Sequence, residues 1–427
     1  MSTVSLTLER GFEVGARRLH SPNRPPRSAS VPELKLVSAP QSGPRVAEFF
    51  AGIGLVRMGL ERAGFEVLWS NDIEPDKRDL YAKQFGDRDG ASSEAHTFDL
   101  GDVGEVTAAD MPEDLALAWA SFPCTDLSVA GARAGLHGSE SGTFWEFTRV
   151  LRELATEGRL PAVVGLENVV GLATSHGGED LAAIVRELND LGYSVDVLTL
   201  DARRFVPQSR PRLFIVGTVG EPESAEGDDS ALRPDWLNAV YADPTLRMHR
   251  AALPTPPQPK AAGFSDLAER IPSDDTRWWD EIRTLAFESS LSPVQRERIE
   301  ILRRSPDTVR RTAYRRTRKG VPVWEVRADD IAGCLRTARG GSSKQAVVEV
   351  GSGALRVRWM TGAEYARLQG AGDYDISGVR DSKVLFGFGD AVCVPAVAWL
   401  GEHYLMPQVR AASRSQRGWE PRLVEAG

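Results

Sequence analysis

From Arg45 onward the chain alternates short apolar runs with helical periodicities. Val46-Ala47-Glu48-Phe49-Phe50 is a short apolar run broken by Ala51-Gly52-Ile53-Gly54, after which Leu55, Met58, Leu60 and Ala63 recur at helical spacing. After Gly64 comes a second run, Phe65 to Trp69, which stops at the polar Ser70-Asn71-Asp72. This pattern predicts strand, glycine turn, helix, strand, the opening unit of a parallel α/β sheet. The alternation repeats. A strand is predicted over 115–122, ending at Pro123-Cys124, then a helix over 144–154 and a buried strand over 162–166, ending at Glu167-Asn168. A helix over 181–191 closed by Gly192 and a strand over 212–219 follow. Such a succession predicts an α/β fold with a Rossmann-like, doubly wound, mostly parallel sheet.

The flanks read differently. Residues 1–44 hold six prolines and no sustained apolar period, and they are expected to form a disordered leader. After Gly220 the alternation dissolves into an acidic linker (Glu221 to Asp229), a proline-rich stretch near 254–259, and Trp236, Trp278, Trp279 and Trp324. A smaller domain over 221–332 is therefore expected as an insertion into the α/β domain, which begins at 45–220 and resumes over 333–405. Periodicity returns from Trp359 to Leu368, Ala391 to Leu400 reads as a terminal helix, and 406–427 reads as a polar tail.

Composition narrows the classes. The 427 residues are 41% hydrophobic and 26% charged, enough for one large domain and a smaller one. No run of about eighteen apolar residues and no N-terminal apolar h-region is present, so neither membrane spanning nor secretion is expected and a cytoplasmic location is. Cys124, Cys334 and Cys393 are widely spaced, which argues against a disulfide framework and a thiolate zinc site; no metal is expected. A net charge of −8 weighs against a nucleic-acid partner taken globally. Locally the balance reverses, because 296–319 carries ten Lys or Arg against three acids, a net +7.

Four clusters carry candidate chemistry. Gly52 and Gly54 let backbone approach a ligand at a strand end, and the helix that follows favours an anionic group. Arg57 stands where a dinucleotide fingerprint needs its third glycine, which weighs against a nicotinamide cofactor. Asp72, at the end of the next strand, is placed to accept bonds from ribose hydroxyls, and Asp99 can meet an adenine amino group. Cys124 follows a strand end, and Pro123 stiffens the turn that presents it. A single Cys is commonly just a small buried hydrophobe. The polar Thr125, Asp126 and Ser128, with Gly131, Gly135 and Gly138 beyond, instead suit a nucleophile on a mobile loop. Glu167 reads either as an acid at a helix start or as a carboxylic acid protonating a heterocycle nitrogen. Gln208-Ser209-Arg210-Pro211-Arg212 places two Arg on alternate positions, either a surface pair or planar forks for phosphate or carbonyl oxygens.

Taken in order, these motifs resemble the DNA (cytosine-5) methyltransferases over about residues 45–220 and 333–405. Phe50-Ala51-Gly52-Ile53-Gly54 is similar to that family's cofactor loop, Pro123-Cys124 to its Pro-Cys motif and Glu167-Asn168-Val169 to its Glu-Asn-Val motif. Gln208, Arg210 and Arg212 match its Gln-x-Arg-x-Arg motif. Arg336-Thr337 with Gly340-Gly341-Ser342, the stretch from Thr361 to Gly370, and Gly389-Asp390-Ala391-Val392 resemble its later motifs. Three departures stand out: Leu55 where a glycine is usual, Thr125 where Gln is common, and Asp390 where Asn is usual.

The resemblance implies a fold, a cofactor and roles. It implies a class I methyltransferase sheet using S-adenosyl-L-methionine, held by Phe50, Ala51, Gly52, Ile53, Gly54, Asp72, Ile73, Asp99, Leu100, Pro123, Asp390, Ala391 and Val392. Catalysis would fall to Cys124, Glu167, Arg210 and Arg212. In the family mechanism a thiolate adds to cytosine carbon 6 while an acid holds the proton on nitrogen 3. On this chain Arg212 would bond the base carbonyl, and Arg210 would order the Cys124 loop. Because the target lies in the stack, it must be flipped out, and closure of the 131–142 loop would trap it. The inserted domain would recognise double-stranded DNA, with Ser128, Gln208, Arg310, Arg311, Arg315, Arg316 and Arg339 as contacts. The competing reading makes the basic run a solvated face. A monomer is expected, serving beside a cognate restriction endonuclease or defence system. The alternatives are an RNA (tRNA) cytosine-5 methyltransferase, disfavoured by the long insert, and a non-catalytic DNA-binding relative, disfavoured by intact Cys124 and Glu167.

Overall fold

The first strand, β1 (Arg45–Phe49), lies near the middle of a seven-stranded sheet because both of its faces are apolar and covered. The computed structural model of the chain describes residues 43–86, 96–123, 142–220, 222, 231–318, 320–337 and 344–417. All of the expected leader except Gly43 and Pro44 lies outside them, as do Cys124, Ser128, Arg339 and the 131–141 segment. From β1 the chain runs through α1 (Leu55–Arg62), β2 (Glu66–Asp72), α2 (Pro75–Phe85), β3 (Thr97–Leu100) and β4 (Leu115–Ala120). It continues through α3 (Thr143–Thr156), β5 (Val163–Val169), α4 (Glu179–Asp190), β6 (Ser194–Asp201) and β7 (Pro211–Thr218). The strand order is β3-β2-β1-β4-β5-β7-β6. β7 pairs antiparallel with both β5 and β6, and the other pairs are parallel. The order reverses beside β1, so the carboxyl ends of β1, β2 and β4 border the crevice in which such sheets hold ligands.

Past β7 the chain first stays on this layer. Arg233 is buried against Asp196 of β6, and Tyr241, His249 and Tyr404 complete the network around that carboxylate. Only after the short helices α5 (Asn238–Ala242) and α6 (Phe264–Leu267) does a separate unit build up. It comprises α7 (Glu281–Ser290), α8 (Pro293–Arg303) and a sheet of order β11-β10-β8-β9. Its strands are β8 (Val309–Arg318), β9 (Val321–Val326), β10 (Ala346–Gly351) and β11 (Ala354–Trp359). One face, with Trp324 and Trp359, packs on Trp279 and Phe287. The boundary expected at 332/333 thus runs through this sheet, which takes two strands from each side of it.

The chain then returns to the first layer through α9 (Gly362–Leu368), α10 (Asp381–Asp390) and α11 (Val394–Leu400). Thr361 and Glu364 cap α9 reciprocally, and Glu364 also pairs with the buried Arg358. The terminal helix expected over 391–400 starts only at Val394, because Ala391 to Cys393 are non-helical and Pro395 stands in the first turn of α11. Beyond it a π-helical turn (Gly401–Leu405) leads into α12 (Met406–Arg417), so the expected tail begins as helix. The segment 381–414 contains a window apolar enough to cross a membrane, and 72% of that window is buried in the fold.

Candidate active site

Backbone strain marks the turn after β1. Phe50 has φ of 57°, a left-handed conformation that costs a residue with a side chain about 1–3 kcal/mol. Gly52 and Gly54 follow with φ of 58° and 80°. A Cβ at Gly54 would strike Phe85 and Tyr81, whereas one at Gly52 would meet only Lys77 Cδ, at 3.9 Å. The loop is therefore packed below and open above. Asp72 braces it, its carboxylate accepting the Gly52 N–H (2.8 Å) and the Glu74 N–H (2.9 Å). Burial raises its pKa, partly offset by Lys77.

Apolar side chains flank Asp72 and Asp99. Ile73 is 62% exposed and Leu100 46% exposed, at the adjacent carboxyl ends of β2 and β3, where Leu100 is in register with Asp72. Asp99 sits one residue earlier, with Asn71 donating to its carbonyl. Ala51 and Ile53 are buried beneath the loop. On the opposite rim Asp390 is partly exposed and paired with Lys77 Nζ at 3.0 Å, while Ala391 is half-buried and Val392 buried. Leu55, the first departure from the family pattern, fills the core at the start of α1.

Glu48 escaped the sequence reading. It lies fully buried in β1, and neither carboxylate oxygen has a hydrogen-bond partner. Burial pushes its pKa well above the ordinary 4.5. The signal was present, an acid inside an otherwise apolar strand directly before the glycine loop. An open cradle at Gly52, the carboxylates of Asp72 and Asp390 at its rim and exposed apolar side chains beside Asp72 fit a ligand with a cationic tail, a ribose and a flat heterocycle, as S-adenosylmethionine has. Burial also sets a sign for stability. The native group keeps its proton while the unfolded group ionises, so Glu48 costs stability as pH rises from about 4.5 through its raised native value. Glu48→Gln is expected to unfold at higher urea than the parent, by a margin that widens with pH over this window. Equal urea midpoints at pH 5 and pH 8 would refute this reading.

The second cluster lies at the ends of β5 and β7. Glu167 is buried, and Arg212 Nε lies 2.8 Å from its Oε1. Burial raises the Glu167 pKa against the opposing pull of Arg212, Arg210 and Ser121. The neighbouring Asn168 donates to the Phe122 carbonyl at 3.1 Å, tying this strand end to the turn that contains Pro123 and leads to Cys124. Cys334, also passed over in sequence, lies 3.3 Å from Arg210 Nη1, and the surrounding Arg210, Arg212 and Arg336 hold its thiol below the usual range against burial.

Two sequence assignments change here. Arg210 is 1% exposed, and its guanidinium donates to the carbonyls of Leu335, Asp390 and Ala391 at 2.7, 3.0 and 2.6 Å. It straps the 334–335 segment to the 389–391 turn and does not reach out to phosphates. Gln208 was expected at DNA; it is fully buried, donating to Leu368 O and accepting from Leu335 N.

Half of the basic run, Arg303, Arg310, Arg311, Arg316 and Arg318, is paired with acids in space. Arg310 pairs with Glu349 at 2.8 Å and Arg311 with Asp330 at 3.4 Å, both mostly buried. Arg315 lies over Trp324 on the packed face of the sheet. Arg316 and Arg318 are 58% and 63% exposed at the β8–β9 hairpin, and Glu325 pairs with both.

The sheet and the cofactor-fitting loop define a class I S-adenosylmethionine-dependent methyltransferase. Residues 44–405 match the family described as C-5 cytosine-specific DNA methylase, and the chain belongs to that family. It is a DNA cytosine-5 methyltransferase whose cofactor is S-adenosyl-L-methionine. Type II methyltransferase M.HpaII of Haemophilus parainfluenzae is 27% identical over 391 residues, covering 86% of this chain and 92% of that protein. M.BanI of Aneurinibacillus aneurinilyticus is 35% identical over 184 residues, only 39% of its own length and 41% of this chain. Among solved structures, the S. pombe Dnmt2 methyltransferase aligns with a TM-score of 0.53 at 16% identity. That alignment covers 86% of this chain and 99% of the other, a likeness of fold.

Proposed function

We propose that this chain methylates carbon 5 of a cytosine flipped out of a specific double-stranded DNA sequence, through a covalent adduct of Cys124. The observation that carries the reading is the Asn168–Phe122 tether. It joins the strand end bearing a buried, high-pKa Glu167 to the turn from which Cys124 follows. Addition of the Cys124 thiolate to carbon 6 makes carbon 5 nucleophilic, and protonated Glu167 holds nitrogen 3 so that the ring can accept the electron pair. Arg212 orients Glu167 and supplies a fork for the base carbonyl. Bound S-adenosylmethionine supplies the methyl group; Asp72, Ile73, Asp99 and Leu100 position it. Loss of the carbon 5 proton then expels the thiolate and restores the ring.

Recognition falls to the unit of α7, α8 and β8–β11, with Arg316 and Arg318 as its phosphate or guanine contacts. The biological role is protection of host DNA beside a cognate restriction endonuclease or within a defence system. The test is expression in cells lacking cytosine methylation, followed by sequencing that reports 5-methylcytosine. Methylation confined to one short sequence context is expected. With S-adenosylmethionine present, unmethylated DNA and RNA would overturn the enzymatic reading, and methylation of tRNA alone would replace the substrate.

A further inference from the structure

Lys77 sits where helix physics disfavours it. It is in the first turn of α2, after the cap Glu74 and Pro75, and a cation there opposes the helix dipole. Its side chain is only 14% exposed, and its stem passes the open side of Gly52. Nζ is held 3.0 Å from Asp390, the residue that replaces the family's usual Asn. The departure at 390 and the lysine at 77 thus belong together, across 313 positions of sequence. The surrounding charges are otherwise acidic: Asp72 and Glu74 on one side and Asp390 on the other. Those acids suit the sulfonium and ammonium of the cofactor and would repel its carboxylate. Asp390 engages one of the three N–H donors of Lys77.

We propose that Lys77 recognises the α-carboxylate of the cofactor's amino-acid tail, with Asp390 as its positioning residue. This rests on the placement of the cofactor over the Gly52 loop. It explains why an ammonium is kept at an acid-lined rim against the helix dipole: it completes a charge pattern that matches the two cations and one anion of the ligand.

Calorimetry of the full chain without DNA tests it, with S-adenosylhomocysteine compared with its decarboxylated analogue, S-adenosyl-3-thiopropylamine. The parent is expected to bind the carboxylate-bearing ligand about tenfold more tightly, the size of one charge-assisted bond. Lys77→Met should bring that ligand down to the affinity of the analogue while leaving the analogue unchanged, and Lys77→Arg should keep most of the preference. An equal loss for both ligands would make Lys77 a strap between α2 and α10, and an unchanged preference in Lys77→Met would remove its role. If the parent binds neither ligand, the cofactor placement itself fails, and the inference falls with it.

Discussion

Glu167→Gln is expected to slow methyl transfer about 100- to 10,000-fold, the usual worth of a positioned proton donor. Glutamine keeps the shape and can still face Arg212, but its amide N–H can only hydrogen-bond a ring nitrogen and cannot transfer a proton as the electron shift develops. Burial raises the Glu167 pKa, so the competent protonated form persists to higher pH than an ordinary carboxyl allows. The parent's rate should therefore decline as pH rises through that raised value, and this limb should be missing in the variant. Cys124→Ser should lose transfer altogether, because a hydroxyl at neutral pH is a far weaker nucleophile than a thiolate. Single-turnover rates across a pH series separate the cases. A Glu167→Gln enzyme with parental rate and the same alkaline decline would remove Glu167 from the chemistry.

Arg210→Met should act on the fold. The guanidinium donates to the carbonyls of Leu335, Asp390 and Ala391 in a site closed to water, and methionine fills much of the volume without a donor. Each carbonyl left dry costs about 1–3 kcal/mol before relaxation, so a loss of about 3–5 kcal/mol is expected, large for one substitution. Urea unfolding followed by tryptophan fluorescence would show it as a lower midpoint. Arg212→Met, which leaves the buried Glu167 without its ion pair, should lose activity and less stability. If Arg210→Met keeps the parental midpoint while losing transfer, Arg210 belongs to the reaction and not to the scaffold.

The two arginines show what the sequence could and could not reveal. Alternate spacing in Gln208-Ser209-Arg210-Pro211-Arg212 put both on one side of a strand, and the motif said that they matter. Which faces Glu167 and which disappears under residues 389–391 depends on chain returning some 180 positions later, which spacing along β7 does not encode. The first layer was legible because its strands are apolar runs ending in polar motifs. β3 and β6 were not, since Thr97 to Leu100 is too short for a periodic signal and Ser194 to Asp201 alternates like a half-buried strand in a buried place. The basic run misled for the opposite reason. Arg303, Arg310, Arg311, Arg316 and Arg318 meet Glu288, Glu325, Asp330 and Glu349, which lie outside the 296–319 window, so charge summed along the chain overstated the charge offered to DNA.

The return of α9–α11 to the first layer also sets the order of assembly. Tyr374 donates to the carbonyls of Ile53 and Leu80, 321 and 294 residues away, and Gly59 of α1 leaves just the room that Val397 of α11 fills. The apolar face of the first helix therefore stays uncovered until nearly the whole chain has left the ribosome. Contacts this distant carry a large loop-closure cost and slow folding, and they expose the nascent chain to aggregation meanwhile. The second sheet, whose strands all fall within 309–359, can close first, so it gains structure during synthesis before the cofactor crevice is complete.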